Sequence, residues 1–190
     1  MWKLDKIIVK GRNKLNGEIS VQGAKNSVLP ILAATVLCRG TNVIHNCPNL
    51  SDVTASINIL SYLGCKCIFE NNTITVDSSE LRCNKVPDEL MRKMRSSVIF
   101  MGAMLARLGR VSLFTPGGCE LGARPIDLHI SALKLLGAHI RENGGAISCE
   151  ARRMRGRDIV LSFPSVGATE NTMLAATACE GRTRIFNAAR

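Results

Sequence analysis

The sequence predicts an α/β protein assembled from internal repeats, and three observations carry that expectation. Val53, Ile57, Leu60, Leu63 and Gly64 return 73 residues later as Ile126, Ile130, Leu133, Leu136 and Gly137. After each of these glycines comes a short run, a turn rich in Asn or Gly, and a second short run. Leu32-Ala-Ala-Thr35, followed by Gly40, Ile44 and Asn46, returns as Leu174-Ala-Ala-Thr177, followed by Gly181, Ile185 and Asn187. A unit of about 70 residues, ordered helix–strand–helix–hairpin, therefore occurs twice in full and begins a third time. The third unit is expected to be cut at Arg190, before its second helix and hairpin.

In chain order, the first helix follows Lys25, with Asn26 as its expected N-cap and Pro30 within its first turn, where proline is tolerated. A strand runs through Ile44. Val53, Ile57, Leu60 and Leu63 fall on one face of a second helix, and Gly64 suits the residue just past its end. Cys65–Phe69 and Thr73–Asp77 read as a hairpin around Asn71-Asn72, with Cys65 and Cys67 expected on opposite faces. Arg95-Ser96-Ser97 precedes the next helix, which ends at Gly109 before a strand through Leu113. Ile126 to Leu136 repeats the second helix. Ala138–Arg141 and Ala146–Glu150 form the second hairpin around Asn143-Gly144-Gly145. A strand from Asp158 to Phe163 leads to a helix after Gly167-Ala168-Thr169, with Ser96 and Thr169 as further candidate caps.

Composition bounds the function. With 190 residues, 46% hydrophobic and 21% charged, the chain is long enough for a sizeable core. Met1-Trp2-Lys3-Leu4-Asp5-Lys6 is no signal peptide, and the longest apolar stretch, Val28 to Cys38, falls short of the ~20 residues that span a bilayer. A cytoplasmic protein without membrane contact is expected. The eight cysteines include no C-x-x-C pair, and no histidine stands at zinc-ligand spacing, so neither disulfide, metal nor cofactor is expected. Net charge of +10 suggests an anionic partner. The run Arg152-Arg153-Met154-Arg155-Gly156-Arg157 has no interleaved aromatic to stack a base, so it reads as a solvated loop and nucleic acid is not expected. A phosphorylated small substrate accounts for scattered cations equally well.

Chemistry concentrates in Thr115-Pro-Gly-Gly-Cys119-Glu-Leu-Gly-Ala-Arg124-Pro-Ile-Asp127-Leu-His129. Gly117, Gly118 and Gly122 free the backbone to carry a thiol, and Arg124 and Arg95 supply a field that lowers its pKa. A packed, inert Cys119 in a turn is the alternative, and these residues alone leave both open. Lys25 and Arg95, each at a helix start and 70 residues apart, are unfavourable beside the positive end of a helix unless an anion compensates.

Gly23-Ala-Lys25-Asn26, Met94-Arg95-Ser-Ser97, the Cys119 loop through His129, and Ser165-Val-Gly-Ala-Thr169 resemble the enolpyruvyl transferases that act on UDP-N-acetylglucosamine, from about Leu4 to Arg190. The sister branch that makes 5-enolpyruvylshikimate-3-phosphate shares the architecture but lacks this cysteine loop. The resemblance implies an inside-out α/β barrel of two domains, each with three units of two helices and a four-stranded sheet. Residues 1–19 would belong with the other domain, most of which lies outside this chain, and residues 20–190 would form the repeat domain. The implied reaction moves the enolpyruvyl group of phosphoenolpyruvate to the 3′-hydroxyl of UDP-N-acetylglucosamine and releases phosphate, the first committed step of peptidoglycan precursor synthesis.

By the same resemblance, Cys119 is the general acid for C3 of phosphoenolpyruvate, able to form a thioketal and susceptible to the epoxide fosfomycin. Lys25, Asn26 and Arg124 hold phosphoenolpyruvate. Asn26, Arg95, Arg124, Pro125, Ile126, Asp127, Leu128, Ser165, Val166 and Gly167 hold the nucleotide sugar. Two departures stand out. Phe163-Pro164 occupies the place where some relatives carry a lysine, and the family's proton-abstracting aspartate lies outside this chain. The 190 residues alone are therefore expected to be inactive, and a non-catalytic UDP-sugar-binding or regulatory module is the alternative.

Overall fold

The computed structural model describes residues 8–114 and 126–190, and for Arg95 the backbone only. The first unit runs α1 (Lys25–Ala34, prolonged by a 3-10 turn at Thr35–Leu37), β1 (Thr41–Ile44), α2 (Ser51–Tyr62), β2 (Lys66–Glu70) and β3 (Thr73–Asp77). A short α3 (Asp88–Arg92), unforeseen in the sequence, precedes a 3-10 turn at Arg95–Ile99 that leads straight into α4 (Phe100–Leu108). The second unit continues with β4 (Arg110–Phe114), α5 (Asp127–Leu135), β5 (His139–Asn143) and β6 (Ala146–Glu150). Then follow β7 (Asp158–Val160), α6 (Val166–Ala176) and β8 (Arg184–Phe186).

The repeat is physical as well as textual. Gly64 and Gly137 take φ of 102° and 105° directly after α2 and α5. The amide after each glycine bonds back into its helix, Cys65 N to Leu60 O and Ala138 N to Leu133 O, both at 3.0 Å. Gly64 N and Gly137 N complete the pattern on Ser61 O and Lys134 O, so each helix ends in a Schellman motif. The hairpins turn on two residues with positive φ, Asn71-Asn72 and Gly144-Gly145, which matches the strand twist. β5 reaches Asn143, two residues further than expected, because only Gly144 and Gly145 are needed for the turn. Cys65 is buried and Cys67 half-buried against the same core while Lys66 faces solvent, correcting the expectation of opposite faces: residues two apart in a strand share one.

The two complete sheets have the order β1-β3-β2 and β4-β6-β5, antiparallel throughout. A fourth segment comes from the preceding unit. Asn84–Val86 runs parallel to β4 through Val86 N to Ser112 O and Ser112 N to Asn84 O. One repeat later β7 pairs in parallel with β8, Asp158 opposite Arg184. Arg152–Arg157 feeds this second junction. Met154 is buried, Gly156 lies so close to Arg182 that a Cβ would sit 2.4 Å from its carbonyl oxygen, and Arg153 forms a fork with Glu180. β7 ends at Val160 where the sequence suggested Phe163, since its partner β8 ends at Phe186.

Helices α4 and α6 form the centre. Phe100 to Leu105 are all buried, and α6 buries Ala168, Thr169, Asn171, Thr172, Leu174 and Ala175. Gly102 allows their contact: a Cβ there would stand 2.2 Å from the backbone oxygen of Asn171. Helix α1 touches α4, α6 and the 3-10 turn at Arg95–Ile99. Residues 8–24 form no helix or strand, and Ile8, Val9, Leu15, Ile19 and Val21 are exposed. Among the described residues no helix is long and apolar enough to cross a membrane. Gly102→Ala is expected to destabilise the fold by about 1–3 kcal/mol through overpacking. Gly11→Ala, where a Cβ meets nothing within 4 Å, serves as the control; equal urea midpoints for the two variants would contradict this account.

Candidate functional site

Helix starts carry most of the predicted site residues, and the backbone shows how each is built. Ala24 (φ −77°, ψ 127°), Met94 (φ −143°, ψ 125°) and Ser165 (φ −82°, ψ 122°) are the extended residues from which the three helical segments begin. The helical positions that follow are Lys25, Arg95 and Val166. The caps differ from expectation. Asn26 is the second helical residue, not the N-cap, and no side chain caps α1. Ser96 lies inside its 3-10 turn, while Ser97 donates back to Met91 O at 3.0 Å. Ser165 caps α6 by accepting from Ala168 N at 3.3 Å; Thr169 instead donates to Ser165 O. In each case the extended residue falls earlier than the polar side chain singled out. Pro30 correspondingly sits in the second turn of α1, where it brings no N–H to the carbonyl of Asn26.

Lys25 has a partner that the sequence did not single out. Its ammonium pairs with the Asp52 carboxylate, on the first turn of α2, at a half-exposed position. The compensating anion expected at this helix start is thus present within the chain. Asp52 also suits the positive end of its own helix.

A second assembly joins the starts of α5 and α6. Ile126, Asp127 and Leu128 open α5, and His129 one residue on is buried. The His129 ring lies across the first turns of α6. A Cβ on Gly167 would be 3.3 Å from its Cε1, and its Nδ1 is 2.9 Å from Asn171 Nδ2. Asn171 is itself fully buried, with Oδ1 accepting from Gly102 N at 2.6 Å and Nδ2 donating to Val98 O at 3.2 Å. Oδ1 therefore faces α4 and the amide nitrogen faces the imidazole. Nδ1 must accept, so the ring proton sits on Nε2. Burial lowers the His129 pKa to about 4, against a smaller opposing pull from the Asp127 carboxylate.

The structure therefore brings the start of α5, through His129, against Gly167 at the start of α6, and places Lys25 and Asn26 on a helix that touches α6. Cys119, Arg124, Pro125 and the Arg95 side chain lie outside the described residues. Cys65 and Cys149 show what packed thiols look like in this chain: burial pushes each up to about 12. Among the described residues no cluster of His, Cys, Asp or Glu is arranged to hold a metal.

The model of one protein family matches residues 9–190, nearly the whole chain; its description is EPSP synthase (3-phosphoshikimate 1-carboxyvinyltransferase). The chain belongs to this family. Among curated members, the UDP-N-acetylglucosamine 1-carboxyvinyltransferase 2 of Caldanaerobacter subterraneus is 52% identical over 187 residues, 98% of this chain. The UDP-N-acetylglucosamine 1-carboxyvinyltransferase of Endomicrobium trichonymphae is 46% identical over 188 residues, again 98% of this chain. The chain spans about 45% of the length of both relatives. The fold matches the enolpyruvyl transferase NikO of Streptomyces tendae with a TM-score of 0.78 at 21% identity, covering 91% of this chain and 41% of that one. An EPSP synthase of Acinetobacter baumannii aligns at 0.66 and 18% identity, over 89% and 40%. Both likenesses support the enolpyruvyl transferase-like α/β fold.

The neutral, buried His129 sets a pH dependence. The unfolded ring takes up a proton near pH 6.5 and the folded ring only near pH 4, so between these values the unfolded chain binds more protons. Stability is expected to fall by roughly 3 kcal/mol as pH drops through that window. His129→Leu should flatten it. Urea midpoints at neutral pH and at about pH 4.5 check this, and an equal fall in the variant would assign the titration to another group.

Proposed function

We propose that this chain is the amino-terminal part of a UDP-N-acetylglucosamine 1-carboxyvinyltransferase. As such it contributes one wall of a cleft in which the enolpyruvyl group of phosphoenolpyruvate passes to the sugar's 3′-hydroxyl. The observation that carries this reading is 46–52% identity over 98% of the chain to relatives of that name. The family model's own description concerns shikimate 3-phosphate as acceptor. The cysteine loop favours the nucleotide sugar, as does the meeting of the α5 and α6 starts. Two adjacent helix starts offer backbone N–H groups to a diphosphate and leave Asp127 free to read a base.

In this reading Lys25 and Arg124 bind the phosphate and carboxylate of phosphoenolpyruvate by charge-assisted bonds, and Asn26 and Arg95 stand where the substrates meet. Lys25 exchanges its Asp52 carboxylate for the incoming anion. Pro125 to Leu128 face the uridine, and Ser165 to Gly167 the diphosphate. Cys119 protonates C3 of phosphoenolpyruvate, the sugar oxygen adds at C2, and loss of a C3 proton with phosphate restores the double bond. Residues 1–19 belong with the second domain, which also supplies the base that takes up the 3′-hydroxyl proton. The product feeds peptidoglycan synthesis in the cytoplasm. The chain's span of about 45% of its relatives also admits a UDP-sugar-binding module without turnover.

Fosfomycin labelling followed by peptide mass spectrometry tests the reading. Adduct is expected on Cys119, increased by UDP-N-acetylglucosamine, with Cys65 and Cys149 unlabelled; even labelling of several thiols would count against an assembled site. Phosphate release from phosphoenolpyruvate and UDP-N-acetylglucosamine is expected to be absent for the 190 residues alone. Turnover by the chain unaided would show that it contains its own base.

A further inference from the structure

The Asn171–His129 pair has no part in the proposed chemistry, yet it occupies the joint between the two segments assigned to the nucleotide sugar. Asn171 uses both amide protons and its oxygen at once, on His129 Nδ1, Val98 O and Gly102 N. Of these partners only His129 belongs to α5. The ring is the spacer: one side meets Gly167, at the second position of α6, and Nδ1 meets Asn171 one turn further along. Residues four apart on a helix lie on one face, so a single imidazole spans the opening turns of α6. Asp127 and Leu128 are its immediate neighbours in sequence.

We propose that Asn171 is a positioning residue for nucleotide-sugar binding, holding His129 as a rigid spacer that sets the start of α5 against the start of α6. The proposal rests on the reading that Asp127–Leu128 and Ser165–Gly167 bind one ligand between them. A diphosphate and a uracil joined through a ribose have a set length, so two contact segments must keep a set separation. An apolar side chain at position 171 would fill space without setting the ring's tautomer or tilt. Gly167 belongs to the same device, since any Cβ there would press the ring outward.

The test uses Asn171→Leu, His129→Leu and the double variant. Nitrogen-15 NMR of the His129 ring is expected to show one neutral tautomer, protonated on Nε2, in the unsubstituted chain and a mixture in Asn171→Leu. Calorimetry with UDP-N-acetylglucosamine is expected to show each single variant weakened about tenfold or more, with the double variant no weaker than the singles. Additive losses, or affinity unchanged in the singles, would overturn the positioning role while leaving the nucleotide-sugar reading intact. A folded, unsubstituted chain that gives no binding would overturn that reading, and this proposal with it. Should Asn171→Leu not fold, His129→Leu retains the bonds to Val98 and Gly102 and carries the comparison with the unsubstituted chain.

Discussion

The close approach of α6 to α4 is the constraint on which the rest of the structure depends. At Gly102 the two backbones come nearer than any side chain allows, and the Asn171 amide fills the contact with hydrogen bonds. A buried amide is tolerable only if all its groups are partnered, which Asn171 achieves by drawing a third helix, through His129, into the same joint. This polar joint therefore fixes how α4, α5 and α6 stand to one another. Three loosely amphipathic helices packed by apolar contact alone would permit several arrangements, whereas a fully satisfied hydrogen-bond network permits few.

Repetition explains how the sheets are chained. A segment of the preceding unit runs parallel to the first strand of the next at two junctions, Asn84–Val86 on β4 and β7 on β8. No unit is complete by itself, and the core runs continuously through all three. The same arrangement explains the arginine-rich run. Met154 is buried while Arg152, Arg153 and Arg155 stay exposed, because this irregular run bridges to Glu180 at Arg155 on its way into β7, with Arg153 neutralised by Glu180.

Much of the fold was legible in the sequence. The 73-residue offset predicted both hairpins and the paired helices, because glycine past a helix end and Asn-Asn or Gly-Gly at a turn are local requirements with local signatures. The helix caps were read less well. Asn26, Ser96 and Thr169 are residues of capping type, but which residue is extended is decided by where the chain enters the bundle. The site was legible in part. Residues at helix starts stand out by motif, whereas Asp52 and Asn171 do not, since a carboxylate in a first turn and an asparagine inside a helix are each unremarkable until their partners are known.

What the sequence determined by itself was everything set by near neighbours: the repeat, the element types, the turns and the family. It also brought Cys119, Lys25 and Arg124 to notice by residue type and spacing. Only the tertiary structure decided which helix starts meet. It showed Lys25 balanced by Asp52, the parallel segment that β4 takes from the preceding unit, and His129 held neutral between α5 and α6. The reason is distance along the chain. Asn171 and Gly102 are 69 residues apart, and no local pattern encodes a missing Cβ at one position and a buried amide at the other.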